Sequence, residues 1–161
     1  MISAGIPEEI IGDIAVALDQ VAIARHRLHE ESVREGWLDT DRYIEALKAL
    51  PDGLDVIRSS FGEDIYDRYL YATHAPNRMQ AGPATGSQTV ETGLRQDDLV
   101  ISINGQRIYG VDDLTSAIET DGDAPVELAI QRSTELITRR LTPSVLLRTP
   151  WLNVCVNPNH A

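Results

Sequence analysis

GSQTVETGLRQDDLVISINGQRIYGVDDLTSAIETDGDAPVELAIQ, residues 86–131, decides the fold. A short segment closes at Gly93, a residue free to take a positive φ, and the turn Arg95-Gln96-Asp97-Asp98 delivers the chain into Leu99-Val100-Ile101-Ser102-Ile103. That apolar, partly β-branched run is too short and too tightly bracketed by turn residues for a helix. Asn104-Gly105 follows, and a type I′ hairpin turn needs positive φ at both central positions, which this dipeptide tolerates. Gln106-Arg107-Ile108 is predicted to pair back. Val111 to Ile118 then has helical spacing, with Leu114, Ala117 and Ile118 on one face, and Val126-Glu127-Leu128-Ala129-Ile130 alternates as a strand.

Further strands flank this segment. Leu136 to Leu141 alternates apolar and polar residues as a half-buried strand, which Pro143 confines to an edge or an end because proline cannot donate to a ladder. On the amino-terminal side Arg78-Met79-Gln80-Ala81 reads as a strand ending at Gly82-Pro83. Pro76 separates it from what comes before, since the residue preceding a proline avoids the helical region.

Residues 1–75 read as a domain of three to four helices, and residues 76–158 as a second domain. Pro7-Glu8-Glu9 starts a long helix, with acids at the positive end of its dipole, that runs to Glu35 and stops at Gly36. Ile11, Ile14, Leu18, Val21, Arg25 and Leu28 recur at alternating spacings of three and four, a heptad seam. The seam packs either on the next helix of the same chain or on a second copy, giving a homodimer through this helix; Arg25 interrupts a long regular coiled coil. Asp39-Thr40-Asp41 caps a helix through Leu50 with an apolar stripe of Tyr43, Ile44, Leu47 and Leu50, Trp37 acting as a staple before it. A third helix runs from Asp52-Gly53 to Gly62 with Leu54, Ile57 and Phe61 inward, and a fourth from Glu63 to about Thr73 with Ile65, Tyr66, Tyr69 and Leu70 at helical spacing.

Composition narrows the function. The chain has 161 residues, an ordinary apolar share of 42% and a net charge of −11. Phosphate binding needs a basic stripe, and no such cluster of Lys and Arg is present, which argues against a nucleic-acid partner. Residues 1–75 hold 15 acids against 7 bases and the remainder 10 against 7, so the helical half carries most of the acidity. No apolar run approaches the ~18 residues of a membrane span, so direct membrane insertion is not expected. Cys155 stands alone and reads as a small buried apolar side chain. His26, His29 and Glu30 share a helix but lack a third ligand at helical spacing, and residues 82–87 lack the Lys-Ser or Lys-Thr of a phosphate loop. Ser59-Ser60 has no base and orienter beside it. No cofactor and no catalytic set emerges.

Residues 86–132, with Thr-Gly-Leu at 92–94, Asp97-Asp98, the strand, Asn104-Gly105, then helix and strand, resemble a bacterial-type PDZ domain. Gln88 stands where the family has proline, and Gln96-Asp97 where it has Pro-Gly or Val-Gly. The resemblance implies an α+β fold: a small, partly open β-barrel or sandwich with two helices, here preceded by the helical hairpin or bundle. It implies a non-catalytic module whose groove takes a peptide C-terminus or an exposed strand by β-augmentation. Two stretches compete for the carboxylate-binding loop. Tyr69-Leu70-Tyr71-Ala72 is the first, although it has no glycine and a helical stripe; Trp151-Leu152-Asn153-Val154 is the second and preferred one, which makes the domain circularly permuted with its groove strand last. Aligned on the family's pattern, the groove-facing helix positions are Val111, Thr115 and Ile118, small to medium residues that suit a C-terminal Val, Leu or Ile; core packing is the competing role, above all for Ile118.

Three functions follow from that resemblance: a free-standing peptide-binding module, a regulatory or substrate-selecting part of a larger protease or secretion machine, and a structural or dimerisation domain with an occluded groove. The family's likeness to bacterial envelope proteins implies a periplasmic setting. Met1 to Pro7 lacks the features of a signal peptide, so the resemblance implies a piece of a longer protein.

Overall fold

The computed structural model describes residues 1, 4–83, 91–121, 124–147 and 154–156. The chain divides into two compact units, Met1–Thr73 and His74–Ala161.

The first unit is helical. α1 (Glu8–Glu35) opens after Pro7 with Glu8 and Glu9 in its first turn and ends where Gly36 takes φ 74°. There the Trp37 N–H donates to Ser32 O at 2.9 Å, closing the last turn through the left-handed residue. The inward positions of α1 are the seam residues Ile11, Ile14, Leu18, Val21 and Leu28, half-buried or buried, whereas Arg25 is exposed and reaches Asp52 at 3.7 Å. α1 contacts α2 (Asp41–Lys48) and α3 (Gly53–Ala72), so the seam is used within the chain.

α2 stops at Lys48, two residues short of the expected Leu50, and buries none of its residues. The stripe of Tyr43, Ile44, Leu47 and Leu50 therefore does not enter a core: Ile44 and Leu47 stay 50% and 37% exposed. Thr40 occupies the N-cap position, but its hydroxyl donates to Trp37 O at 2.6 Å instead of accepting from the helix. Trp37 is buried, with the Arg42 guanidinium 4.2 Å above its ring and Tyr43 tilted against it. Asp52 caps α3 by accepting from Leu54 N at 2.9 Å. The expected third and fourth helices form one element kinked at Gly62, whose φ of 81° and ψ of 171° belong to glycine almost alone.

Among the described residues the second unit is a six-stranded antiparallel sheet with helices: β1 (Arg78–Gln80), β2 (Leu99–Ile103), β3 (Gln106–Arg107), α4 (Val111–Asp121), β4 (Val126–Arg132), β5 (Glu135–Leu141), α5 (Pro143–Leu147) and β6 (Val154–Val156). The strand order is β5-β4-β2-β1-β6, with β3 paired to β2. β2 organises the sheet. It pairs with β4 along one side and, on the other, with β1 at Leu99 and Val100 and with β3 at Ser102 and Ile103. Asn104 and Gly105 both take positive φ, 47° and 82°, as the hairpin requires. The Asn104 carboxamide also accepts from Glu127 N at 2.7 Å, tying the turn to β4.

In β4 Val126, Leu128 and Ile130 are fully buried at alternate positions. They form one core with Met79, Val100 and Ile103 of the sheet and Leu114, Ala117 and Ile118 of α4. β5 is an edge strand, as Pro143 foretold; its Leu136 is 71% exposed. Pro143 has a further role that the strand reading missed: it is the first residue of α5, where a missing N–H costs nothing.

Two glycines predict opposite effects. At Gly62 no neighbouring atom would meet an added Cβ, so Gly62→Ala is penalised by backbone conformation alone, about 1–3 kcal/mol. Gly12 lies inside α1 in open space, and Gly12→Ala should stabilise by about 1 kcal/mol. Urea unfolding of both variants followed by circular dichroism checks the signs; equal effects at the two sites would contradict the kink.

Candidate functional site

Among the described residues the sheet order ends at β5 on one side and β6 on the other, places where a further strand can pair. β6 pairs with β1 in antiparallel register, Arg78 opposite Val156, Met79 opposite Cys155 and Gln80 opposite Val154. The Asn77 N–H extends the ladder by donating to Val156 O at 2.9 Å. Of the expected groove-strand residues, Trp151, Leu152 and Asn153 lie outside the described residues, and Val154 is described through its backbone. The competing loop at Tyr69–Ala72 is corrected: these residues form the last turn of α3, where amides serve the helix's own ladder and do not cradle a carboxylate, and Thr73 N caps the turn by donating to Tyr69 O at 2.9 Å.

α4 supplies the other set of expected contacts. Its start is fixed from within: the Asp113 carboxylate accepts from Tyr109 N at 2.9 Å, and Asp112 and Asp113 both lie in the first turn, favourable to the dipole. Val111, the first residue, is 41% exposed, so its side chain is open to contact. Thr115 is half-buried, and its hydroxyl donates to Val111 O at 2.9 Å, which leaves it no free proton to offer a peptide. Ile118 is 4% exposed and sits in the core with Leu114 and Ala117. The three positions thus grade from open to buried along α4.

A buried charge pair that sequence reading missed holds this unit's loops in place. The Asp98 carboxylate, 1% exposed, takes Arg132 Nε and Nη2 at 2.7 Å each, a bidentate geometry, and accepts from Arg95 N at 2.8 Å. Arg132 Nη2 also donates to Gly93 O at 3.0 Å. The bonded carboxylate raises the guanidinium above its ordinary pKa against the opposing effect of burial. Asp98 O and Ala81 O accept backbone N–H groups from Ala81 and Asp97 at 2.8 Å each, so the same turn also fastens the end of β1. Asp98 read as a turn residue because its partner lies 34 positions away and nothing local marks it.

Elsewhere, His26 faces Glu30 at 3.3 Å and His29 lies edge-on to Tyr43, so the two imidazoles serve different neighbours. Among the described residues no three His, Cys, Asp or Glu side chains gather as a metal site, and no helix is long and apolar enough to cross a membrane.

Residues 91–132 match the family model of the PDZ domain, a span from the segment before Gly93 to the Arg132 that clasps Asp98. A protein of Bartonella henselae, provisionally named a zinc metalloprotease, is 32% identical over 76 residues, covering 44% of this chain and 21% of that protein. The chain spans about a fifth of that relative's length. Residues 91–132 of the second, α+β unit thus carry a PDZ domain, a class of domain that binds protein or peptide partners.

Asp98→Asn leaves the largely buried Arg132 uncompensated and is expected to cost about 3 kcal/mol, the lower end for breaking such a pair because Arg132 keeps some solvent contact. Chemical unfolding measures it; a loss under about 1 kcal/mol, the range of surface pairs, would show that the clip is not structural.

Proposed function

We propose that this chain is a protein-interaction module whose second unit, taken as residues 76–158, captures the C-terminus or an exposed strand of a protein partner, while residues 1–75 form a separate helical domain. The added strand pairs along β6, and α4 forms the opposite wall. Main-chain hydrogen bonds supply affinity, and pockets for alternate side chains supply specificity. In this reading Trp151, Leu152 and Asn153 lead into the groove strand with Val154, and Val111, Thr115 and Ile118 line the helix side. The domain is then circularly permuted, with its groove strand last in sequence.

One observation carries the reading: the last strand in sequence, β6, is an outer strand of the sheet, paired on one side with β1. The exposed Val111 at the start of α4 supports it. Because Ile118 is buried with the core, only its outer atoms can meet a ligand, and a C-terminal Val, Leu or Ile would rest chiefly on Val111 and the Thr115 methyl.

A second reading has its own support. The similarity to a protein named as a metalloprotease favours a substrate-selecting part of a larger protease, of which this chain supplies the non-catalytic piece. The first reading predicts peptide affinity in the isolated chain; the second predicts none until the remainder is supplied.

Peptides ending in Val, Leu or Ile with free carboxylates should bind the purified chain, and the same peptides amidated should not. Val111→Glu should weaken binding by about tenfold or more, since it places a charge where an apolar side chain is to be buried. Titration by fluorescence anisotropy tests both. Equal affinity for free and amidated peptides contradicts carboxylate capture, and binding unaffected by Val111→Glu removes α4 from the groove.

A further inference from the structure

α2 is an eight-residue helix, short enough to be marginal on its own, and it gains little from its own chain because none of its residues is buried. Its apolar side chains are nevertheless ordered along one face. Ile44 is 50% and Leu47 37% exposed, and beside them an open groove of about 540 Å³ is lined by His29 of α1 and by Leu38, Asp39, Thr40, Tyr43 and Ile44. Trp37 stands behind Tyr43: it is buried, its indole N–H donates to Glu35 at 3.0 Å, and its ring abuts that of Tyr43. The groove therefore offers the Tyr43 ring, backed by Trp37, and a half-exposed aliphatic lip.

The charge around it is one-sided. Asp39 lines the groove and Asp41 opens α2, and neither makes an ion pair among the described residues, whereas the nearby cations are engaged, Arg42 with Glu35 and the Trp37 ring, Lys48 with Glu45. The helical unit as a whole holds 15 acids against 7 bases. A second copy would bring the same excess of acid to the same place and be repelled; a cationic partner would be drawn in and oriented. The seam of α1, the other candidate for self-association, is already occupied by α2 and α3.

We propose that the groove between α1 and α2 is a second docking site, independent of the PDZ groove, and that it receives a cationic amphipathic helix of a partner protein. Apolar side chains at i, i+3 or i+4, and i+7 of that helix seat on Leu38, Tyr43, Ile44 and Leu47, and lysines or arginines on its flank face Asp39 and Asp41. Binding covers the exposed stripe that α2 leaves open.

The probe is an amidated, fluorescein-labelled peptide of leucine and lysine, roughly four helical turns long with leucines at helical spacing; its amidated end excludes carboxylate capture at the PDZ groove. Titrated against the full chain, it should bind at one site, with the counterpart of leucine and glutamate not binding. Ile44→Ser combined with Leu47→Ser should weaken it by about tenfold, Asp39→Asn combined with Asp41→Asn should weaken it and flatten its salt dependence, and Val16→Ser, on an exposed face of α1, should leave it unchanged. In the unaltered chain, amide chemical-shift changes should centre on residues 37–48. The proposal is overturned if the serine variants bind as the parent does, which would leave general acidity as the only attraction, or if the shifts spread over the second unit. Sedimentation showing a dimer that the serine variants return to monomer would also overturn it, naming a second copy as the occupant.

Discussion

The ion pair between Asp98 and Arg132 is the constraint on which the second unit depends. A carboxylate that is almost wholly buried must be paired and hydrogen-bonded, and Asp98 uses both oxygens, one on Arg132 Nε and the other on Arg132 Nη2 and Arg95 N. The pair costs desolvation, and its value lies in position more than in net stability. Through Arg132 it holds the end of β4, through Gly93 O the turn that precedes β2, and through the Asp98 backbone the end of β1. Three segments separated in sequence meet at one charge. β1 is only three residues long, and β6 rests on it, so the geometry of the outer edge is inherited from this inner clip.

That dependence links the core to the edge. β2 is paired on both sides and buried at Val100 and Ile103, while β6 has three residues in register with β1 and one further bond from Asn77. α4 is anchored differently, by Leu114, Ala117 and Ile118 in the core and by Asp113 at its start, so the two proposed walls are held by different means: side-chain packing for the helix, main-chain pairing for the strand. In the helical unit α1 buries Ile14 and α3 buries Ile57, Tyr66 and Leu70, whereas α2 leaves its stripe half open.

Much of this was legible in the sequence, for local reasons. Asn104-Gly105 fixed the β2–β3 hairpin because so few residue pairs accept two positive φ values, and Gly36 and Gly62 marked where helices must end or bend. The apolar spacing of α1 and α4 picked out the faces that are in fact inward, Ile14 and Leu18 in one, Leu114 and Ala117 in the other. What failed to show was what depends on distance. The Asp98–Arg132 pair joins residues far apart in the chain, and no spacing rule marks it. The stripe on α2 had the pattern of a core face, yet a periodic pattern says which residues share a side and not whether a partner covers it. Pro143 is ambiguous by nature, since a residue that ends a strand also begins a helix. Ile118 shows the same limit: one position satisfied both the groove alignment and the core pattern, and its 4% exposure places it with the core.

The most direct test of the central claim is amide hydrogen exchange of the whole chain with and without a peptide ending in a free-carboxylate valine. Capture along β6 predicts slower exchange confined to Val154–Val156 and to the first turn of α4 at Val111. Protection that appears along β5 instead, or in the helical unit alone, would contradict the assignment of β6 as the groove strand.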